Sequence, residues 1–258
     1  MTTPDRWAAL RELTTARVAL GRAGPALPTR EVLALALDHA RARDAVHLPF
    51  DAEGVAAEIE ALGLTTRIVA SQAGDRATYL RRPDLGRRLA PASRRRLVET
   101  GARPGRVALV VADGLSSAAV HAHAAPLVAE LAPRLQAGGA ALTAAVLARQ
   151  GRVALGDEIG AALGAALVIV LIGERPGLSS PDSLGAYLTF SPRVGRTDAE
   201  RNCVSNIRPA GLTYADAAHR ISWLAGEMLR RSYSGVRLKD ESPPQLQAPE
   251  VARTISRP

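Results

Sequence analysis

Cysteine is nearly absent from this chain: Cys203 is the only one, so no intramolecular disulfide can form and a reducing compartment is the expected setting. Lysine is equally scarce. Of the 33 basic residues only Lys239 is lysine and the rest are arginine, a skew that, with the abundant alanine, reads as coding bias. Aromatic residues make up 3% of the chain, which leaves few rings on which nucleobases could stack. The net charge of +8 is spread along the chain rather than gathered in one stripe, so nucleic acid is not an expected partner. The longest apolar run, Ala161 to Ile172, is broken by Gly164. It falls well short of the ~20 residues a bilayer-spanning helix needs. The amino terminus has no basic segment followed by an apolar core. A cytoplasmic protein with no membrane contact is expected, and at 258 residues it can bury a sizeable core.

The familiar catalytic signatures are missing too. There is no G-x-G-x-x-G or Walker pattern for nucleotide phosphates, and no G-x-S-x-G elbow for a serine nucleophile. His121 and His123 are two positions apart and face different sides of a helix, whereas a helical metal pair wants i, i+4 spacing. No metal site is expected. Cys203 has no histidine near it in sequence and reads as a small buried hydrophobe. The residues describe a binding module rather than a complete enzyme, and no catalytic acid or base is assigned.

The pattern along the chain has two rhythms. Residues 1–100 read as a mainly helical region, with helices over Pro4–Leu20, Thr29–Val46 (Thr29 as N-cap), Asp51–Leu62 and Pro83–Glu99, and a β-like stretch at Thr65–Ala70. The Thr100–Gly105 stretch, TGARPG, is the expected domain boundary. Residues 101–240 then alternate: strand Val107–Ala112, helix Ser116–Leu135, strand Leu142–Ala148, helix Asp157–Leu163, strand Ala166–Gly173. That order is the mark of a parallel sheet with helical crossovers. A strand at Tyr187–Phe190 and a helix at Tyr214–Arg231 follow. The Pro-rich segment 241–258 is expected to be a disordered tail. The fold class is thus α/β, a Rossmann-like, mostly parallel sheet with flanking helices after a mainly helical amino-terminal region.

The most telling stretch is AALVIVLIGERPGLS, from Ala165 onward. An unbroken apolar run fits a strand buried on both faces, and its carboxyl end is where open α/β sheets collect ligands. Gly173, Pro176 and Gly177 then shape a loop that presents Glu174 and Arg175. At the earlier strand end, Ser116 in Asp113-Gly114-Leu115-Ser116 reads as a helix cap in preference to a phosphate site.

Four segments resemble one family. They are TTARVALGRAGPALPTREVLALALDHARARDAVH (Thr14–His47), DRATYLRRPDLGRRL (Asp75–Leu89), VVADGLSSAAVHAHA (Val110–Ala124) and GERPGLSSPDSLGAYLTFSPRVGRTDAERNCVSNIRPAG (Gly173–Gly211). In this order they are similar to the small (light) subunit of ethanolamine ammonia-lyase. The resemblance implies a cofactor, adenosylcobalamin, and a partner, the large (heavy) subunit, whose β/α barrel holds ethanolamine. It implies a hetero-oligomer of six large and six small chains, and a radical reaction giving acetaldehyde and ammonia that neither subunit performs alone. Family positions that contact the cofactor correspond to Val153, Glu174 and Cys203. The D-x-H-x-x-G pattern that lets a protein histidine replace the cofactor's base is absent, so the resemblance implies cobalamin bound base-on, with no metal ligand from this chain. Enclosure in a bacterial microcompartment stays open. The alternative is a stand-alone nucleotide- or polyanion-binding α/β protein.

Overall fold

In a computed structural model of the chain, residues 7, 13, 14, 16–99 and 106–244 are described. The architecture grows from two strands with no exposed residue: β2 (Val107–Ala112) and β4 (Leu167–Gly173). Because strand side chains alternate, Val107, Leu109 and Val111 enter one core while Ala108, Val110 and Ala112 enter another on the opposite face. Strand β4 divides in the same way, with Leu167, Ile169 and Leu171 on the first face and Val168, Val170 and Ile172 on the second. A continuous apolar run is stable only in such a sheet covered on both sides.

Six strands make one sheet, in the order β1 (Thr66–Ala70), β3 (Ala145–Arg149), β2, β4, β5 (Leu184–Phe190), β6 (Asn202–Ile207). Neighbours from β1 to β4 are parallel, and β5 and β6 extend the sheet as antiparallel strands. Of the helices, α1 spans Thr29–His47 and α2 Ala52–Ala61, with α3 (Arg76–Arg81) and α4 (Pro91–Glu99) between β1 and β2. Helix α5 (Ser117–Ala137) joins β2 to β3, α6 (Leu155–Ala162) joins β3 to β4, and α7 (Tyr214–Arg231) closes the described chain. Helices α2, α5 and α7 cover the first face through Val55, Leu127, Leu131, Ile221 and Met228. Leu97 of α4 and Leu155 and Ile159 of α6 cover the second. Consecutive crossovers therefore pass over opposite faces, and the tips of β2, β3 and β4 open between them.

The alternating strands and helices expected over 107–173 are present, with bounds moved by up to three residues, and α7 has the bounds read from the sequence. Other details differ. None of the described positions from Ala16 to Leu20 is helical, and Ala19 takes a left-handed φ of 51°. The rest of the helix expected over Pro4–Leu20 lies largely outside the described residues, as do the Thr100–Gly105 break and the tail from Gln245. Thr29 is the first helical residue instead of the cap, because the helix starts on the carbonyl of Pro28, which accepts from Glu31 and Val32 N–H. The helix expected over Pro83–Glu99 is broken into a 3-10 turn at Leu85–Arg87 and α4. Pro91 has no N–H to donate and disfavours helical backbone at Ala90, whose N–H instead bonds to Ala70 at 3.0 Å. Helix α3, capped by Asp75 at Thr78 N–H, and strand β6 were not expected. Strand β1, ahead of the Thr100–Gly105 stretch, is an edge strand of the same sheet.

A buried ion pair fastens the antiparallel extension to α6. Arg201, just before β6, meets both carboxylate oxygens of Asp157 at 2.7 Å, and each side chain is 3% exposed. Its guanidinium also donates to Thr189 Oγ1 on β5 at 3.0 Å and to the Arg196 carbonyl at 3.0 Å. Burial pushes the Asp157 carboxyl upward against the pull of Arg201. Removing one partner strands the other charge in the interior. Arg201→Met is expected to cost about 3–5 kcal/mol in urea unfolding, whereas Asp157→Leu/Arg201→Met together should recover most of that loss. Equal instability of single and double variants would contradict the pairing.

Candidate functional site

The site begins with a carboxylate at the tip of β2. Asp113 is 1% exposed, and its Oδ1 accepts from Gly114 N–H at 3.0 Å and Gly151 N–H at 2.9 Å, while Oδ2 accepts from Gln150 N–H at 3.0 Å. One side chain thus ties the turn after β2 to the turn after β3. Arg76 of α3 stands beside it, 3.5 Å from Oδ2, and donates to the Gly114 carbonyl at 2.8 Å and the Val46 carbonyl at 2.7 Å. Burial raises the Asp113 carboxyl to about 6, against the lowering effect of the Gly151, Gln150 and Gly114 N–H groups and of Arg76.

The turn after β2 also touches the tip of β4 backbone to backbone. Leu115 N–H donates to the Gly173 carbonyl at 2.9 Å. Gly114 has φ +58°, and a Cβ there would lie 2.2 Å from the Gly173 carbonyl oxygen; one at Gly173 would lie 2.1 Å from that of Ser116. Only glycine fits either position. Ser116 is the cap of α5: its Oγ accepts from Ala119 N–H at 3.2 Å and donates to the Pro181 carbonyl at 2.9 Å. That hydroxyl is committed to structure, as its position in the sequence suggested.

Above these three tips lies a cavity of about 470 Å³ with Leu115, Val153 and Ile172 among its apolar lining and Arg152, Glu174, Arg175 and Tyr187 among its polar lining. Tyr79, fully buried, supports one wall: its hydroxyl donates to the Gly151 carbonyl at 3.1 Å, and the Arg152 guanidinium lies 4.3 Å from its ring centroid. Glu174 is held by the Ser183 hydroxyl, which donates to Oε2 at 2.5 Å, and by Asn206 N–H at 3.4 Å. A side chain at Gly185 would crowd Glu174, since a Cβ there would be 2.8 Å from Oε1.

Of the three residues singled out in the sequence, Val153 and Glu174 line this cavity, from the β3 and β4 sides respectively. Cys203 is not in the lining; it sits on β6 directly opposite Tyr187 of β5, which is. It is exposed, which corrects the expectation of a buried small hydrophobe, because its strand is the sheet edge. Partial burial of the thiol nonetheless pushes it up, the Tyr187 hydroxyl acting in the opposite sense and the Glu174 charge in the same one. Burial likewise pushes the Tyr187 hydroxyl up. Tyr79, Arg152, Ser183, Tyr187 and Asn206 were not picked out from the sequence. Tyr79, Ser183, Tyr187 and Asn206 stood within the four quoted segments, and Arg152 stood beside Val153.

The histidines of α5 point apart, as their spacing requires. His121 Nε2 accepts Asp51 N–H at 3.0 Å, so its proton is on Nδ1, while His123 lies 2.8 Å from the Tyr214 hydroxyl and 3.3 Å from Asp182. Among the described residues, no group of three or more His, Cys, Asp or Glu side chains is placed to hold a metal ion. No helix among them is long and apolar enough to cross a membrane.

The sequence model of the family described as "Ethanolamine ammonia-lyase light chain (EutC)" matches residues 4–239. Similar curated proteins carry the name ethanolamine ammonia-lyase small subunit. One from Rhodopseudomonas palustris (strain BisA53) is 58% identical over 249 residues, covering 96% of this chain and 95% of the relative. One from Bradyrhizobium diazoefficiens is 59% identical over 234 residues, 90% of each chain, and one from Ralstonia nicotianae is 57% identical over 241 residues, 92% of this chain and 89% of the relative.

The Asp113 knot makes a prediction in pH. With a folded value of about 6 against 3.8 for the free side chain, the native state takes up this proton before the unfolded chain does. The group's contribution to stability is therefore fully present below 3.8 and is lost as pH rises through about 6. Asp113→Asn abolishes that titration and turns an amide N–H₂ toward backbone donors, at a cost of about 1–3 kcal/mol at neutral pH. Urea unfolding of both proteins should show the stability advantage of the wild type over Asp113→Asn narrowing as pH rises from 3.8 through about 6; a constant or widening offset would show that Asp113 does not titrate there in this sense.

Proposed function

Because the chain belongs to the ethanolamine ammonia-lyase light-chain family, we propose that it binds the cofactor of that lyase, adenosylcobalamin, for a reaction performed on ethanolamine by a large-subunit partner. The observation that carries this reading is the cavity over the tips of β2, β3 and β4, into which both Val153 and Glu174 project their contribution. A corrinoid is broad, with amide arms on its rim, and asks for an apolar floor with a few fixed polar groups. Leu115, Val153 and Ile172 supply the floor, and the Glu174 carboxylate, held by Ser183, accepts from an amide arm. Cys203 flanks the site through Tyr187.

When bound, the cofactor supplies the radical chemistry. This chain's part is to bind and orient it within a Rossmann-like domain, and to contribute no proton acceptor to the substrate. Among the described residues no histidine lines the cavity, which supports a cobalamin that keeps its own base on cobalt. The large partner holds the substrate site, the assembly is a cytoplasmic hetero-oligomer of six large and six small chains, and the small chain alone is inactive. Helix α1 of the amino-terminal region supports a docking role: it buries only Ala45, while Val32, Leu33 and Leu37 stand about half exposed or more along it.

The purified chain mixed with its large partner, adenosylcobalamin and ethanolamine should produce acetaldehyde, and neither chain alone should. Failure of correctly folded components to give product would reject the proposal. Glu174→Ala is expected to weaken cobalamin binding to the complex by about 10-fold, the effect of losing one charge-assisted hydrogen bond. Unchanged affinity would remove Glu174 from the site.

A further inference from the structure

The cavity holds more positive charge than its own residues satisfy. Its charged lining consists of Arg152, Glu174 and Arg175, and Glu174 is already engaged by Ser183 and Asn206. Among the described residues neither Arg152 nor Arg175 forms an ion pair, and the Nε of Arg152 is buried. The two differ in how they are held. Arg175 is exposed on its loop, whereas Arg152 is half-buried and fixed at both ends. Its backbone N–H donates to the Gly86 carbonyl at 2.8 Å, its stem packs beside Gly86, and its guanidinium rests on the Tyr79 ring. The buried Nε of Arg152 has no partner. An arginine stacked on an aromatic ring loses little freedom when its fork meets a planar or tetrahedral oxyanion, which is the usual reason for such an arrangement. A cation held in a partly dry cleft with no counter-ion calls for one from the ligand.

Resting on the reading of the site as a corrinoid cradle, we infer that Arg152 recognises the phosphodiester of the cofactor's nucleotide tail. The amide arms of a cobalamin are neutral, so the phosphodiester is the group in it that answers a lone guanidinium. Tyr79 and Gly86 act behind Arg152 as positioning residues, keeping the fork at a fixed height over the strand tips.

The test uses the full chain in complex with its large partner and reads corrinoid affinity by equilibrium dialysis followed by absorbance. Two probes are compared, cyanocobalamin and dicyanocobinamide, the second lacking the phosphodiester and the base. Arg152→Met should weaken cobalamin binding by about 10- to 100-fold, as expected for loss of a charge-assisted pair, and leave cobinamide binding unchanged. Arg152→Lys should recover part of the loss, and added salt should weaken the wild-type protein's grip on cobalamin more than the variant's. Equal loss for both corrinoids, or no loss for either, would overturn the assignment while leaving the corrinoid site standing. Wild-type protein that binds neither corrinoid but does bind adenosine monophosphate would instead overturn the proposed function, and this inference with it.

Discussion

A single buried carboxylate determines where the loops of this protein can lie. Asp113 gathers N–H groups from Gly114, Gln150 and Gly151, so the turns leaving β2 and β3 share one acceptor. Such a group is costly to bury and is tolerated because backbone donors surround it and a guanidinium stands beside it. Arg76 extends the same tie to α1 through the Val46 carbonyl. The cavity wall follows from this knot: Gly151 positions the Tyr79 hydroxyl, Tyr79 supports Arg152, and Val153 comes next in the chain.

The other wall depends on the antiparallel extension. β5 and β6 bring Gly185, Tyr187, Cys203 and Asn206 to the edge of the site, and a register shift between Leu184 and Ala186 accompanies their approach. Asn206 takes a left-handed φ of 57°, and its N–H lies near Glu174. The Arg201–Asp157 pair holds this edge against α6 from the second face of the sheet. Two polar devices, one on each side, thus frame a floor made of apolar strand ends.

Much of the central sheet was legible because its signals are local. The unbroken apolar runs of β2 and β4 admit few other readings. β6 was not legible, since Asn202, Ser205 and Asn206 dilute its hydrophobic pattern and its strand character comes from pairing with β5. α3 is a short helix whose Asp75 cap lies in a charged segment with no apolar period. In the site, Glu174 stood out because it follows a buried strand directly. Tyr79 and Ser183 did not, because their roles depend on contacts 72 and 9 positions away in the chain. Asp113 was visible only as half of a turn dipeptide; its burial is a property of the assembled tips.

The close approach of Gly114 to Gly173 carries a consequence for how such a cleft tolerates sequence change. Main-chain atoms meet main-chain atoms there, so the gap between the two turns is set by backbone contact and by the Leu115 N–H to Gly173 carbonyl hydrogen bond of 2.9 Å, with no Cβ at either glycine to widen it. Residues such as Leu115, Val153 and Ile172 can be exchanged to retune what the floor accepts while the span beneath it keeps its width. A graft of this binding surface onto another sheet would need the glycine pair before any of the contact residues.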